Sequence, residues 1–318
     1  MRPLEKVKNI LLSALLAAFA AALLLAPAQS ADAAREGLSL CFQTVLPSLF
    51  PFFVLSSLLV SSGAAEAFGR ALEPVMRPLF YLSGAGAGAL SLGLVGGYPV
   101  GARTVAELYR AGRLPRAEAE RLLGFCNNAG PGFLLGVCGG AVLHSARAGA
   151  YLYLVHAASA VLTGVLLRRG ALLECDAERA ARRSRGGANI RPRGAGSGQP
   201  RAAAFTAAVR DSFAAVWSVC GYVVLFAVLL RFVTLLLPER PLLVGFIELT
   251  NGVLSLPSGR GGFVLCAVLL GWGGLSVHAQ TLSVLEESGL SARWYFVGKT
   301  VQAALSAPLA LLTAKWLY

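Results

Sequence analysis

Long stretches of this chain carry almost no charge over lengths close to the thickness of a bilayer, and this limits its fold more than any motif does. Ile10 to Ala28, Val45 to Ser62, Ala150 to Leu167, Val216 to Leu237 and Trp294 to Tyr318 each approach the ~20 residues that a helix needs to cross about 30 Å of hydrocarbon. In lipid every backbone N–H and C=O must be paired inside the chain, so runs of this kind are read as helices. Only 14% of residues are charged and mean hydropathy is +0.66, against roughly 25% charged in a soluble domain. The expected fold is an all-α polytopic membrane protein.

The net charge of +12 raises nucleic acid as a partner, but the arginines cluster between apolar segments as the positive-inside bias predicts. Nine of them lie between Arg168 and Arg201, among Gly186, Gly187, Pro192, Gly194, Gly196, Gly198 and Pro200. Such a composition buries too little apolar surface to fold, and it reads as a basic cytoplasmic linker over 168–203 rather than as a nucleic-acid site. Around it, 1–36 forms an N-terminal span and candidate signal anchor, 37–167 a first repeat with its connecting span, and 204–318 a second repeat. The Ala26-Pro27-Ala28 stretch resembles a signal-peptidase site, but the preceding run is longer than most signal h-regions, favouring an uncleaved span. Cys41, Cys126, Cys138, Cys175, Cys220 and Cys266 form no CxxC pair, and His144, His156 and His278 form no HExxH. Neither a metal site nor a cofactor is expected.

Charge placement sets the expected topology. With the amino terminus inside, the first span runs out to Asp32, Arg35 and Glu36, and Gly37 to Ser62 returns. The apolar Leu79–Val95 leads to Arg103, Arg110, Arg113, Arg116 and Arg121, so it is expected to dip in from the cytoplasm and turn back at Gly96-Gly97-Tyr98-Pro99. By the same reasoning the mixed-charge stretch holding Glu239, Arg240, Glu248 and Arg260 is external, Phe263–Ser276 forms an external hairpin returning to Glu286 and Glu287, and the last span ends inside at Lys315. The expected count is about six full spans plus a pair of re-entrant hairpins, about eight hydrophobic segments in all, with both termini in the cytoplasm. A shift of 177 residues aligns Gly96, Gly97, Val100, Ala102, Thr104, Leu108 and Gly112 with Gly273, Gly274, Val277, Ala279, Thr281, Leu285 and Gly289, and Pro131 with Pro308. Combined with the topology, this reads as an inverted-topology repeat.

Backbone that leaves the helical state at membrane depth survives only against protein or a wet cavity. The candidate binding residues therefore lie in the glycine- and proline-broken segments. They are Gly97, Tyr98, Pro99 and Gly101 at the first hairpin; Asn127, Asn128, Gly130 and Pro131 in the following span; and Gly273, Gly274, Ser276, His278 and Gln280 at the second hairpin. Glycines permit a tight tip, Pro99 can open a helix whose N–H groups face a ligand, and paired amides bind neutral solutes without a charge cost. Tight helix packing or an interhelical clamp explains the same residues structurally. Glu107, Lys299 and Gln302 are further polar groups that could face a cavity, although a lysine near an interface also snorkels. Gly298-Lys299-Thr300 lacks the upstream glycine of a P-loop, since Arg293 stands there, and no nucleophile elbow appears. No catalytic residue is expected, and the chain is read as a non-enzyme.

The blocks Gly97-Tyr98-Pro99-Val100-Gly101-Ala102, Phe125-Cys126-Asn127-Asn128-Ala129-Gly130-Pro131, Ile247-Glu248-Leu249-Thr250-Asn251-Gly252 and Gly273-Gly274-Leu275-Ser276-Val277-His278-Ala279-Gln280 resemble the YlbJ-type sporulation integral membrane proteins of the Gate, or nucleoside-recognition, family. The resemblance implies a multi-pass protein of the bacterial cytoplasmic membrane connected with the spore cortex, similar in outline to a core of concentrative nucleoside transporters and ferrous-iron permeases. The basic linker departs from the pattern. The leading expectation is a transporter for a small polar solute, nucleoside-like or cortex-related, with membrane lipid around it and a homo-oligomer or sporulation membrane proteins as partners. The alternative is a non-transporting scaffold or signalling module in a sporulation complex.

Overall fold

The computed structural model describes residues 3–62, 64–184, 201–236 and 240–318, and among them it is helical throughout, without strands. Four helices are long and apolar enough to cross a bilayer, Ala146–Arg168, Ala202–Leu235, Arg260–Glu286 and Arg293–Ala314, and a bent pair at the N-terminus makes a fifth. Leu154, Leu166, Phe205, Leu235 and Leu312 stand exposed on these helices, which is what a lipid-facing surface requires. The chain is a multi-pass membrane protein by these criteria.

The bent pair is α1 (Pro3–Leu25) and α2 (Pro27–Leu40), which meet at 100°. Pro27 opens α2, and Ala26 before it is forced off the helical region at φ −132°, ψ 59°. The two helices form one bent apolar unit where a separate first span was expected. A π-helical turn (Cys41–Val45) carries α2 into α3 (Leu46–Ser61). Together these lie antiparallel to α9 (Arg201–Leu236), with Glu36 paired to Arg231 at 2.9 Å, Cys41 Sγ on the carbonyl of Cys220 and Phe50 edge-on to Phe213.

Helix α4 (Ala64–Phe80) puts Leu72, Met76 and Phe80 on one face against the core. The hairpin expected next is present as α5 (Gly86–Gly96) and α6 (Val100–Arg110), joined through Gly97, whose φ is +85°. Its arms touch backbone to backbone, because a Cβ on Gly93 would lie 3.1 Å from the Cα of Gly101. The next crossing is broken, with α7 (Arg116–Cys126) and a π-helical segment (Gly132–Val142) on either side of Asn127–Pro131. Helix α8 (Ala146–Ser184) returns and continues helically past Arg168 into the expected linker, while residues 185–200 of that linker lie outside the described residues.

The second half departs from expectation. The short α10 (Pro241–Ile247) and α11 (Leu249–Leu254) form a tight hairpin, with the Cβ position of Gly252 only 2.0 Å from Gly245 Cα. Helices α12 (Arg260–Trp272) and α13 (Gly274–Glu286) are not the expected hairpin. They continue one another across Gly273 as a single 27-residue span. Helix α14 (Arg293–Ala314) then runs back beside α12.

The 177-residue correspondence reappears in the backbone. Helices α7 and α14 begin at Arg116 and Arg293, and left-handed glycines recur at Gly97 and Gly274 (+85° and +75°) and at Gly112 and Gly289 (+70° and +65°). The related segments are nevertheless parallel over this region, not inverted. Arg110 pairs with Glu287 at 2.9 Å and Arg116 Nη2 donates to Gly289 O at 2.8 Å at one end, while Arg147 Nη2 reaches Trp316 O at the other. The C-terminal residues therefore sit at the end opposite Arg110 and Arg116, where Lys315 was expected to share their side. In a background freed of native cysteines, single cysteines at Arg116 and Glu286 should label from one face of the membrane and a cysteine at Tyr318 from the other. Labelling of all three from one face would contradict this arrangement.

Candidate functional site

The broken segments are brought together around one side chain. Lys299 lies on α14 and is fully buried at 0% exposure. An ammonium at membrane depth costs about 2.5–3.5 kcal/mol on insertion scales unless it finds acceptors. Two are at hand: the carbonyl of Asn127 at 2.5 Å and Gln302 Oε1 at 2.7 Å, with the ring of Tyr98 5.4 Å away. The Asn127 carbonyl is available because α7 ends at Cys126 and the chain turns extended before Gly130-Pro131, leaving the last carbonyls without intrahelical donors. The C-terminal dipole of α7 favours a cation at the same place. No carboxylate is paired with Lys299 among the described residues.

The two amides have different partners. Asn127 Nδ2 donates to Thr281 Oγ1 at 2.9 Å, and its Oδ1 lies 3.5 Å from the Ala102 N–H in the first turn of α6. The free N–H groups expected to face a ligand at that helix start thus meet Asn127 instead. Asn128 donates to Phe125 O at 2.8 Å and accepts from Gln302 Nε2 at 2.9 Å. The network reaches α8, where His156 Nε2 accepts from the Ala129 N–H at 3.0 Å, and continues through Ser306 to Ser159 at 3.1 Å.

The hairpin tip joins the same centre. Tyr98 donates to Leu270 O, and Gly97 packs on the backbone of Gly130, 3.1 Å from its N for an added Cβ. Pro99 immediately precedes α6. Gly101 and Gly93 clasp the end of α7, since a Cβ on either would fall 2.0 or 1.7 Å from Cys126 O. On the α12–α13 break, Gly273 faces Tyr98, whereas Gly274 packs against the tip of α10–α11 near Gly245 O and Leu249 N. Ser276 Oγ points to Glu248 Oε1 at 3.4 Å, and His278 Nδ1 shares a 2.8 Å hydrogen bond with Tyr295 Oη while its ring meets Trp272 edge-on. His278 Nε2 and Trp272 Nε1 are buried with no hydrogen-bond partner among the described residues. Gln280 is buried on α13 outside this chain of contacts. Pro131 precedes the π-helical segment and positions the break rather than contacting Lys299.

Of the polar groups singled out beyond the motifs, Lys299 and Gln302 are central. Glu107 is not: it pairs with Arg103 at 2.8 Å, whose guanidinium lies over Phe53. Tyr295, His156 and Ser306 belong to the network and have no sequence signal beyond being polar residues in apolar helices, whereas Thr281 is marked only by its 177-residue correspondence with Thr104. Glu248, read from its charge as part of an external loop, is buried.

A helical bundle whose helices break at membrane depth around a buried lysine defines an integral membrane protein with an internal polar site. Residues 42–167 match the Gate family model, described as nucleoside recognition. Over an alignment of 355 residues, covering 99% of this chain and 85% of the relative, the chain is 28% identical to the sporulation integral membrane protein YlbJ of Bacillus subtilis (strain 168). The resemblance carried by the motif blocks is borne out by both comparisons. No solved structure matches.

The glycine contacts give a direct test of the clasp. Gly101→Ala should destabilise the protein by about 1–3 kcal/mol through overpacking against the Cys126 backbone, read as a lower Tm in detergent. Gly132→Ala, with nothing within 4 Å of its Cβ position, should leave Tm unchanged.

Proposed function

We propose that the protein is a permease that binds a small polar solute at the Tyr98, Asn127, Lys299 and His278 centre and moves it across the membrane. The carrying observation is that breaks at Gly97–Pro99 and Asn127–Pro131 meet at one buried lysine, with Gly273 of a third break against Tyr98 beside it. Discontinuous helices at membrane depth supply hydrogen-bonding backbone that a solute can exchange for water, and they localise the bends that alternate access needs. The Gate match to a nucleoside-recognition model supports a small-molecule site.

The chemistry of the centre narrows the solute. An ammonium without a carboxylate, together with the unpartnered ring nitrogens of His278 and Trp272, favours a ligand that presents acceptor atoms such as carboxylate or carbonyl oxygens. On this reading the chain acts as a carrier, binding and releasing its solute unchanged. A scaffold role in a sporulation complex would instead rest on the basic linker.

In proteoliposomes loaded in turn with nucleosides and small acidic cortex-related solutes, the native protein should take up at least one. Lys299→Met should lower Tm, because it leaves the buried Asn127 carbonyl without its donor, and reduce uptake at least tenfold by the protein that remains folded, whereas deletion of residues 185–200 should leave uptake intact. Uptake unaffected by Lys299→Met, or lost with the linker, would sink the proposal.

A further inference from the structure

The solute centre leaves one buried charge unused. Glu248 joins α10 to α11 in an extended conformation (φ −132°, ψ 114°), and only 4% of its surface is exposed. Its Oε2 accepts from the Asn251 N–H at 2.8 Å and from Asn251 Nδ2 at 2.9 Å, whereas Oε1 has only a long 3.4 Å contact from Ser276 Oγ. All of these donors are neutral. A carboxylate so deeply buried keeps its charge at a high cost unless a cation is beside it, and no Lys, Arg or His side chain pairs with Glu248 among the described residues.

The carboxylate also lines an open cavity of about 780 Å³ between α2, the C-terminal half of α9 and the α10–α11 hairpin. The other acid in this cavity, Glu36, is already neutralised by Arg231 at 2.9 and 3.1 Å. Its wall therefore carries one uncompensated negative charge, at Glu248, and neutral oxygen-bearing side chains at Gln43, Thr250, Asn251 and Ser255. No cluster of three His, Cys, Asp or Glu exists among the described residues, so the donors suit neither zinc nor a calcium cage built from several carboxylates. A single charge among neutral oxygens matches a monovalent cation.

We infer that Glu248 and the neutral oxygens of this cavity form a binding site for a monovalent metal cation of the sodium class, between α2, α9 and the α10–α11 hairpin. The cation completes the under-satisfied Oε1 and offsets the buried charge. Glu248 itself, not the cavity, links the site to the α12–α13 break: its Oε1 meets Ser276 Oγ, and the hairpin tip that carries it packs on Gly274 with Gly245 O 3.0 Å from the added Cβ position. The site is distinct from Lys299, and its occupancy can be read without any solute.

Purified protein is melted in sodium, potassium, lithium or choline chloride at one total ionic strength. Sodium should raise Tm over choline by about 2–4 °C, and Glu248→Gln should abolish that rise without lowering Tm in choline. Equilibrium binding of labelled sodium to the native protein should saturate at one ion per chain, and Glu248→Asp, which withdraws the carboxylate, should weaken it at least tenfold. A sodium-specific rise retained in Glu248→Gln overturns the assignment. So does the absence of saturable sodium binding, or a Tm that responds to acidification alone and identically in all salts. Failure of solute uptake bears only on the Lys299 centre.

Discussion

The hydrogen bond from Lys299 to the carbonyl of Asn127 is the contact on which the interior depends. Each partner on its own would be costly. A carbonyl released where α7 stops at Cys126 has no donor from its own helix, and a lysine on α14 at membrane depth has no water. Together they satisfy one another, and Gln302, one turn further on, takes a second ammonium hydrogen and passes the connection to Asn128. The broken helix is thus tolerated because a neighbouring helix carries the group that repairs it.

This repair needs close approach, and glycines provide it. Gly298 on α14 packs so tightly on α7 that a Cβ would lie 1.9 Å from Gly124 O, and on the other side Gly93 and Gly101 hold the end of α7 between the hairpin arms. Small residues of this kind are the usual means of bringing membrane helices together where no hydrophobic force drives them. The packing reading and the binding reading of the motif glycines are therefore not rivals. Gly101 packs the backbone that presents the Asn127 carbonyl, while Gly97 and Gly273 stay close to Tyr98.

Hydropathy made the membrane class legible, and the broken motifs located the centre, since Gly97, Tyr98, Asn127, Asn128, Gly273 and His278 do come together. The 177-residue offset was also legible, down to paired left-handed glycines. Direction was not. Charge counting separated Arg110 and Arg116 from Glu286 and Glu287 because opposite charges suggested opposite faces, whereas Arg110 and Glu287 form an ion pair across one face. Hydropathy likewise ended the second apolar run near Ser276, because Ser276, His278, Gln280 and Thr281 follow it. Those side chains are buried in the protein, where Ser276, His278 Nδ1 and Thr281 meet Glu248, Tyr295 and Asn127. Lys299 had equal claims to a cavity and to an interface because depth is a tertiary property. Glu248 was misplaced for the same reason: a charged residue in a short segment looks external until a hairpin carries it inward.

The consecutive glycines of the α12–α13 break stand between the two buried charges. Gly273 and Gly274 both have positive φ, a conformation that other residues adopt only under strain. They face different neighbours, Gly273 toward Tyr98 and the Lys299 centre, Gly274 toward the hairpin that carries Glu248. Because neither has a side chain, the break lies directly on its two supports. Helix α13 in turn holds Thr281, the partner of Asn127, and His278, the partner of Tyr295. The two charged groups thus rest on one helix, α13, without any contact between them. That makes the glycine pair, more than either charge, the element whose two arrangements would distinguish the states of the molecule.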